Sequence, residues 1–490
     1  MKQKRPNIVL IFTDQQRFDS LSCYGNKALQ TPWIDRLAEE GTRFDNCYVN
    51  NPVCTPSRAS LFTGRPLSGH GVYKLHDILP QETKMLPEYF KESGYETALI
   101  GKLHVSAAMF EYDRRNAHDG FDIYDWCHEP SLFFDAPFNA YSTWLKANHP
   151  EFYERYKQEG RQLKHIPKPY HFSTWVGETA ENYIKNRDKS KPFFTFVSFF
   201  DPHNPYDQHP KACEEKVNAK AFEPLNRKRR EAFDKSDGIE RSHSNCYLGS
   251  YDSYSDEAIA DMRIGYHAGI ALIDEQVERI CSRLKVEGIY DETMILYASD
   301  HGDMLGDHEL LAKGAFFYEA GVKVPMIIKW PKEMGDVSVC RELVQPHDLF
   351  ATLLTTAGVS EERIRAVAPT SLNLSETVKN QKGHAFALCE YRNSGIDMSR
   401  KAYDPPIHAT MLRYKNYKLN LYHGEPMDSC GELYDLTADP KEQKNLWQRP
   451  DACAIQTEML VALANALTEN DLALHGSVGG TATGVSAKIL

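Results

Sequence analysis

Short apolar segments alternate with longer amphipathic segments over the first three-quarters of the chain. Apolar residues at spacings of three and four predict helices at Pro32–Glu40 and Ala258–Leu284. The apolar segments have the length and the Ile, Val, Leu and Phe content of buried strands: Asn7–Phe12, Thr97–Ile100, Pro192–Phe200, Met294–Ala298 and Val324–Trp330. This alternation predicts an α/β fold with a mainly parallel central sheet sandwiched by helices.

Past about residue 365 the pattern changes to short segments joined by polar turns. His408–Tyr414, Tyr417–Tyr422 and Glu432–Leu436 predict antiparallel strands, and about Ala452–Leu467 predicts a terminal helix. A chain of 490 residues exceeds what one hydrophobic core usually supports. We therefore expect an α/β domain over residues 1–365. A smaller α+β subdomain with a short antiparallel sheet is expected over residues 366–490.

Two long insertions, at about residues 105–180 and 204–256, interrupt the α/β pattern. Insertions after strands either form walls of a binding site or remain solvated surface loops. The first insertion is rich in aromatic residues, which fit either a subdomain core or a surface that stacks on a ring. The sequence leaves both alternatives open.

Polar residues follow four of the predicted strands. An Asp after a strand is usually a turn former or helix cap, and a His in a loop is usually a surface residue. The carboxyl ends of parallel strands, however, share one edge of a sheet, where α/β proteins bind ligands. Four strings at that edge therefore predict a shared polar site: Thr13-Asp14-Gln15, Gly101-Lys102-Leu103-His104, Asp201-Pro202-His203 and Ser299-Asp300-His301-Gly302-Asp303.

Composition and charge narrow the possible functions. A net charge of −11 argues against a general nucleic-acid binder, although a local cationic pocket for a small anion stays compatible with it. No stretch approaches the ~20 apolar residues of a membrane helix, and the N-terminal apolar run is too short for a signal peptide. The 11 scattered cysteines include no CxxC pair and are typical of reduced thiols. We expect a cytoplasmic protein that binds neither nucleic acid nor membranes, although a removed leader would leave the same sequence.

The segment PVCTPSRASLFTGR at Pro52–Arg65 predicts the start of a helix. Thr55 fits the N-cap and Gly64 the exit. Cys54 would then lie just before a helix N-terminus, where backbone N–H groups favour an anion. Arg58, one turn into the helix, could reach back towards position 54. For an isolated motif, a half-buried cysteine beside a surface arginine would be the ordinary interpretation.

The string CTPSR followed by ASLFTGR resembles the signature of type I sulfatases, formylglycine-dependent members of the alkaline phosphatase superfamily. In that family the motif Cys-x-Pro-Ser-Arg directs oxidation of its cysteine to formylglycine, whose hydrate is the nucleophile. The resemblance runs in order from about residue 5 to about residue 450 and includes ELYDLTADPKEQKNL at Glu432–Leu446. It implies an alkaline-phosphatase-like fold and a sulfuric ester hydrolase, with Cys54 as the formylglycine precursor.

The same resemblance implies roles for the residues at the strand ends. A divalent metal ion would be held by Asp14, Gln15, Asp300 and His301 together with position 54. The remaining roles are expected as follows: Arg58 holds the nucleophile, Lys102 and Lys313 contact the sulfate, His104 contacts the second hydroxyl of the hydrated aldehyde as a base, and His203 donates a proton to the leaving group.

Two metal positions depart from the most familiar version of the family, which has Asp-Asp and Asp-Asn. This chain has Asp14-Gln15 and Asp300-His301. Oxygen ligands suit calcium or magnesium, whereas an imidazole accommodates manganese or zinc. We expect Ca²⁺, with Mg²⁺, Mn²⁺ and Zn²⁺ as alternatives. The Gln/His combination also resembles formylglycine-dependent phosphonate monoester and phosphodiester hydrolases, which is the alternative function.

The expected partners follow from the resemblance. They are a small-molecule or saccharide sulfate ester, with a sulfated carbohydrate preferred, and a formylglycine-generating maturation enzyme. A different class of function is also considered, in which the protein is an inactive family member that only binds its ligand. The presence of every charged site residue disfavours this alternative. The sequence does not predict the alcohol half of the substrate, and an oligomer remains possible.

Overall fold

The computed structural model describes residues 5–112, 117–227, 235–332, 334, 337–393 and 403–475. Its larger sheet has eight strands: β1 Asn7–Thr13, β2 Thr42–Cys47, β3 Glu96–Gly101, β4 Ile123–Trp126, β5 Phe193–Ser198, β6 Thr293–Ser299, β7 Met326–Lys329 and β8 Ser338–Val344. Their order across the sheet is β4-β3-β5-β1-β6-β7-β2-β8. Strand β7 runs antiparallel to both of its neighbours, and the other pairs are parallel. The predicted mainly parallel sheet is confirmed.

Side chains of the central strand β1 alternate between two hydrophobic cores. Ile8, Leu10 and Phe12 face one core, and Val9 and Ile11 face the other. All of them are buried, as expected for a strand covered on both faces.

Helices cover both faces of this sheet. The helices that precede strand β8 in the sequence are α1 Pro32–Glu39, α2 Cys54–Thr63, α3 Leu67–His70, α4 Leu86–Glu92, α5 Ala108–Tyr112, α6 Ala140–Asn148, α7 Pro150–Glu159, α8 Phe172–Asn186, α9 Asp237–Ser244, α10 Asp256–Val286 and α11 Glu319–Val322. The later ones are α12 Asp348–Thr356, α13 Glu361–Val367, α14 Leu374–Asn380 and α15 Cys453–His475. Within the described residues, every helix is too short or too polar to span a bilayer.

A second, antiparallel sheet follows: β9 Phe386–Arg392, β10 His408–Tyr414, β11 Tyr417–Tyr422 and β12 Gly431–Asp435. Its two faces pack differently. Cys389 and Met411 belong to the first core of the large sheet, whereas Leu388 and Leu412 pack with Leu463 of α15. The predicted C-terminal antiparallel sheet and terminal helix are therefore present. Residues 394–402 and 476–490 of the predicted subdomain lie outside the described residues.

Four strands have no counterpart in the sequence prediction: β2, β4, β8 and β9. Strands β4 and β8 form the two edges of the large sheet, and β2 is only half-buried. Strands in such positions carry polar side chains and lack a continuous apolar run. In the first insertion, Trp126, Phe134 and Tyr141 are buried in the two cores, which favours the core alternative for these aromatic residues.

Candidate active site

The polar strings predicted at the strand ends meet at one edge of the large sheet. β1 and β6 are parallel neighbours with Thr13 opposite Ser299, so the residues that follow both strands lie side by side. β3 and β5 extend the same edge with Lys102 and His203. Their side chains are buried, although the site lies at the end of the sheet.

Helix α2 delivers Cys54 to this edge. The helix begins at Cys54 itself, and its N-cap is Val53 without a side-chain hydrogen bond. The prediction that Thr55 caps the helix is wrong, because Thr55 lies within the first turn and its hydroxyl donates to the Leu75 carbonyl. Gly64 ends the helix with a φ of 68°, as its position predicts. Cys54 thus occupies the first helical residue, where backbone N–H groups have no partner within the helix.

Four side chains form a buried cluster of potential metal ligands. One donor atom from each of Asp14, Cys54, Asp300 and His301 lies within 4.8 Å of all the others. The ring Nδ1 of His301 lies 2.9 Å from the Gly302 carbonyl, so it carries the proton. The His301 Nε2 therefore faces the cluster, 3.2 Å from the Cys54 Sγ. Burial would lower the pKa of this ring, but the neighbouring Asp300 and Cys54 raise it on balance. A divalent cation would take the place of the Nε2 proton, and two carboxylates with an imidazole oriented in this way fit such an ion.

Gln15 lies at the rim of this cluster. Its backbone N–H donates to Asp300, and its side-chain Nε2 donates to Asp303 Oδ2 at 2.7 Å. The Oε1 of the same amide accepts a hydrogen bond from Lys313 Nζ at 2.9 Å. The predicted ligand role of Gln15 requires this oxygen, which Lys313 holds here.

Arg58 binds the two carboxylates. Its Nε donates to Asp300 at 2.7 Å and its Nη2 to Asp14 at 3.1 Å, and all three side chains are inaccessible to solvent. Its remaining nitrogen donates to the carbonyl of Lys102 at 3.1 Å. In the described structure these hydrogen bonds join Arg58 to the carboxylates and thereby position the ligands. The role that the resemblance implies, that Arg58 holds the nucleophile at position 54, stays a prediction.

Two lysines supply the positive charge of the site. Lys102 Nζ lies 2.7 Å from Asp14, and Lys313 Nζ donates to the Cys54 Sγ at 3.1 Å. Burial would raise the pKa of Asp14, but the neighbouring cations hold it well below its usual range. Burial and Asp14 would likewise raise the pKa of the Cys54 thiol, and the nearby cations lower it on balance. The site therefore favours an anion at position 54.

The two predicted catalytic histidines are both held neutral. Burial lowers the pKa of His203 well below its usual value, and the Lys313 charge lowers it further. His203 Nδ1 donates to the Asn204 carbonyl, and its Nε2 accepts from Lys313 Nζ at 2.9 Å. Burial, followed by the effect of His128, likewise lowers the pKa of His104.

His104 lies against the nucleophile helix. Its Nε2 is 2.8 Å from the hydroxyl of Thr55, which adjoins the cysteine. Its own loop is fixed by Glu111, which accepts backbone hydrogen bonds from His104, Val105 and Ser106 and one from the ring of Trp126.

Sequence reasoning missed several residues that shape the site. Asp303 accepts from Gln15 and, at 2.6 Å, from the Tyr206 hydroxyl. Tyr247 donates to Asn204 at 2.8 Å, and its ring is parallel to that of His203. Asp303 could have been found in its strand-end string. Glu111 and both tyrosines come from the insertions, which carry no local signal for contact with the site.

Comparisons with known proteins agree with this geometry. The family model described as Sulfatase matches residues 6–359, and the one described as N-sulphoglucosamine sulphohydrolase, C-terminal, matches residues 306–469. The chain is 30% identical to an arylsulfatase of Clostridium perfringens over 90% of each chain. It is 26% identical to an N-acetylglucosamine-6-O-sulfatase of Bacteroides thetaiotaomicron, over 94% of this chain and 86% of that protein.

The fold is similar to a solved phosphonate monoester hydrolase of Agrobacterium radiobacter. The TM-score is 0.76 with 22% identity, covering 95% of this chain and 96% of the other. Fold and site thus define an alkaline-phosphatase-like hydrolase. The chain belongs to the sulfatase family and is a hydrolase of sulfate esters. Membership in this family implies a divalent metal ion and a formylglycine.

Proposed function

We propose that the protein removes sulfate from sulfated carbohydrates and uses a formylglycine made from Cys54 by a maturation enzyme. The observation that carries this proposal is the surroundings of position 54. Lys313 Nζ lies 3.1 Å and His301 Nε2 lies 3.2 Å from its Sγ, beside the carboxylates of Asp14 and Asp300. A buried cysteine that serves only in packing does not require a lysine and a histidine next to its sulfur, nor further cations nearby.

The donor set supports a divalent ion held by Asp14, Asp300 and His301 together with position 54. When bound, the ion polarises a sulfate oxygen and makes a hydroxyl on position 54 more acidic. We propose calcium, with magnesium, manganese and zinc as alternatives, because the two carboxylates suit a hard cation and the imidazole tolerates softer ones. Lys102 and Lys313 would balance negative charge on the transferring sulfate.

The leaving oxygen would take its proton from the pair formed by Lys313 and His203. His203 is neutral in the resting site and accepts from the Lys313 ammonium, so the proton is stored on the lysine. During the reaction this proton would move from the Lys313 Nζ to the His203 Nε2 and from there to the leaving oxygen, so Lys313 would end the step as a neutral amine. Neutral His104, next to the nucleophile helix, has the protonation state of a base.

Two comparisons and one structural feature support a carbohydrate substrate. One similar protein is named for N-acetylglucosamine-6-O-sulfate, and the C-terminal family model for N-sulphoglucosamine. The structure adds an exposed aromatic ring, since Tyr247 is 43% exposed and lies parallel to His203 with ring centroids 6.3 Å apart. An aromatic face beside the proton donor suits the apolar face of a sugar.

Kinetics on a panel of sulfated amino sugars test this proposal. Tyr247→Ala should raise KM for the best sugar roughly fivefold to tenfold, since a stacking contact is worth about 1 kcal/mol. Tyr247→Phe keeps the ring and loses only the hydroxyl, so its KM should stay close to that of the protein without the substitution. An absence of sugar desulfation, while a simple aryl sulfate is turned over, would refute the carbohydrate proposal.

Hydrolysis of phosphonate monoesters or phosphodiesters is the second candidate. Gln15 and His301 at the metal positions favour it, and so does the similarity of the fold to a phosphonate monoester hydrolase. Values of kcat/KM for an aryl sulfate and an aryl phosphonate, measured on the same preparation, separate the two. A Cys54→Ala variant should lose both activities if one nucleophile serves them.

A further inference from the structure

A second group of metal-ligating side chains lies outside the active site, where the two insertions meet. Backbone hydrogen bonds pair the segments, from the His165 N–H to the Asp207 carbonyl at 2.7 Å and from the Ile166 N–H to the Gln208 carbonyl at 2.9 Å. This pairing places His165 beside His209. The short helix Lys211–Lys216 then presents Glu214 to both rings.

The donor atoms of these three residues converge. One atom from each of His165, His209 and Glu214 lies within 4.8 Å of the others. Glu214 Oε1 is 3.7 Å from His165 Nδ1 and 2.8 Å from His209 Nε2. Ligand atoms around a tetrahedral zinc ion are about 3.4 Å apart, given bonds of ~2.1 Å. The two observed distances bracket that value, and the other oxygen of the Glu214 carboxylate, Oε2, is held by Lys211 Nζ at 2.7 Å.

Hydrogen bonding orients His209 as a ligand. Its Nδ1 lies 2.7 Å from the Tyr206 carbonyl, which can only accept, so Nδ1 carries the proton. In the neutral ring the Nε2 lone pair then faces the Glu214 carboxylate. Two electron pairs so close together require a proton or a cation between them. His209 is 5% exposed, so water solvates this contact poorly.

His165 provides independent support. Its Nδ1 is buried and has no hydrogen-bond partner among the described residues. The backbone of His165 has a φ of 47°, a conformation that is unfavourable for residues other than glycine. A strained residue that directs an unpartnered nitrogen towards a carboxylate is typical of a functional or ligand-binding position.

We propose that His165, His209 and Glu214 form a second divalent-cation site of the zinc type. Two imidazoles and one carboxylate are a ligand set that zinc accepts, with water in the fourth position. A cavity of 420 Å³ adjoins the three residues and provides room for that water.

The site would clamp the segment that builds part of the active site. The same stretch of chain carries His203, and Tyr206, whose hydroxyl contacts Asp303. His209 Nδ1 is bonded to the carbonyl of that Tyr206. A cation here would tie this stretch to the first insertion without touching the reacting atoms.

Zinc titration of the full-length protein, with the bound metal measured after gel filtration, tests the proposal. The unaltered protein should bind one more equivalent of Zn²⁺ than either His165→Ala or Glu214→Gln. Asp300→Asn changes the active-site cluster and leaves the three residues of the second site intact. This variant should therefore still bind the equivalent of Zn²⁺ that His165→Ala loses. The exposed His408 provides the matched control, and His408→Ala should bind as much zinc as the unaltered protein.

Circular dichroism and thermal melting without metal establish that each variant is folded. If His165→Ala does not fold, the zinc stoichiometry of the conservative variant Glu214→Gln, compared with that of the unaltered protein, tests the proposal instead. Added Zn²⁺ should raise the melting temperature of Asp300→Asn but not of Asp300→Asn combined with Glu214→Gln. Equal zinc stoichiometry in the unaltered protein and both cluster variants would overturn the proposal and leave a protonated His209–Glu214 pair.

Discussion

Arg58 offers the sharpest test of how the catalytic cluster is held together. Its guanidinium bonds Asp300 at 2.7 Å and Asp14 at 3.1 Å, and none of the three side chains is accessible to solvent. Arg58→Met keeps most of the stem but leaves two buried carboxylates without this partner. Loss of one partner from a buried ion pair costs about 3–5 kcal/mol, because an uncompensated charge remains in a medium that solvates it poorly.

Urea denaturation in the presence of a chelator measures this loss as a change in the free energy of unfolding. Arg155→Met removes an exposed arginine from its pair with Glu159 and should leave stability nearly unchanged. Added divalent cation should recover part of the loss in Arg58→Met, since it neutralises the same carboxylates. A loss below about 1 kcal/mol under chelation would refute the assignment of Arg58 as the residue that positions the ligands.

Three further predictions concern other parts of the structure. Burial raises the pKa of Asp274 to about 7, so the folded carboxyl holds its proton where the unfolded one has lost it. The free energy of unfolding, relative to that of Asp274→Asn, should therefore fall by up to ~1.4 kcal/mol per pH unit as the pH rises from about 4 to about 7. Thermal melts of both proteins across this range measure the difference, and parallel curves of stability against pH would contradict the prediction. In α10, a Cβ on Gly265 would lie 1.9 Å from the Tyr206 carbonyl, whereas at Gly269 the nearest atom is 3.4 Å away. Gly265→Ala should lower both the melting temperature and kcat, and Gly269→Ala should be neutral or stabilise by up to ~1 kcal/mol; equal effects would contradict the packing described. Lys313→Met should lower kcat/KM for an aryl sulfate about 10²–10³-fold through the lost charge, with partial recovery in Lys313→Arg; a loss below tenfold would contradict its role.

The sequence predicted the parts of the fold that have a local signature. β1 is an unbroken apolar run because both of its faces are covered, and α2 ends at Gly64 because that residue adopts a positive φ. Edge strands such as β4 and β8 pack on fewer neighbours, so their residues carry no comparable pattern.

The same distinction applies to the site. Asp14, Lys102, His203 and Asp300 each follow a strand, and parallel pairing brings them together. The partners of Arg58 are far from it in sequence, and Glu111 and Tyr206 come from insertions. Which carboxylate meets which cation depends on tertiary packing, and local periodicity contains no information about that packing.

Mass spectrometry of the peptide that contains position 54 tests the central claim most directly. The protein should be produced together with a formylglycine-generating enzyme and compared with Cys54→Ala prepared in the same way. Conversion of the thiol to an aldehyde is predicted, with sulfate-ester hydrolysis that rises in proportion to the converted fraction and is absent from the variant. An unmodified thiol in a preparation with full activity, or full activity in Cys54→Ala, would contradict the account.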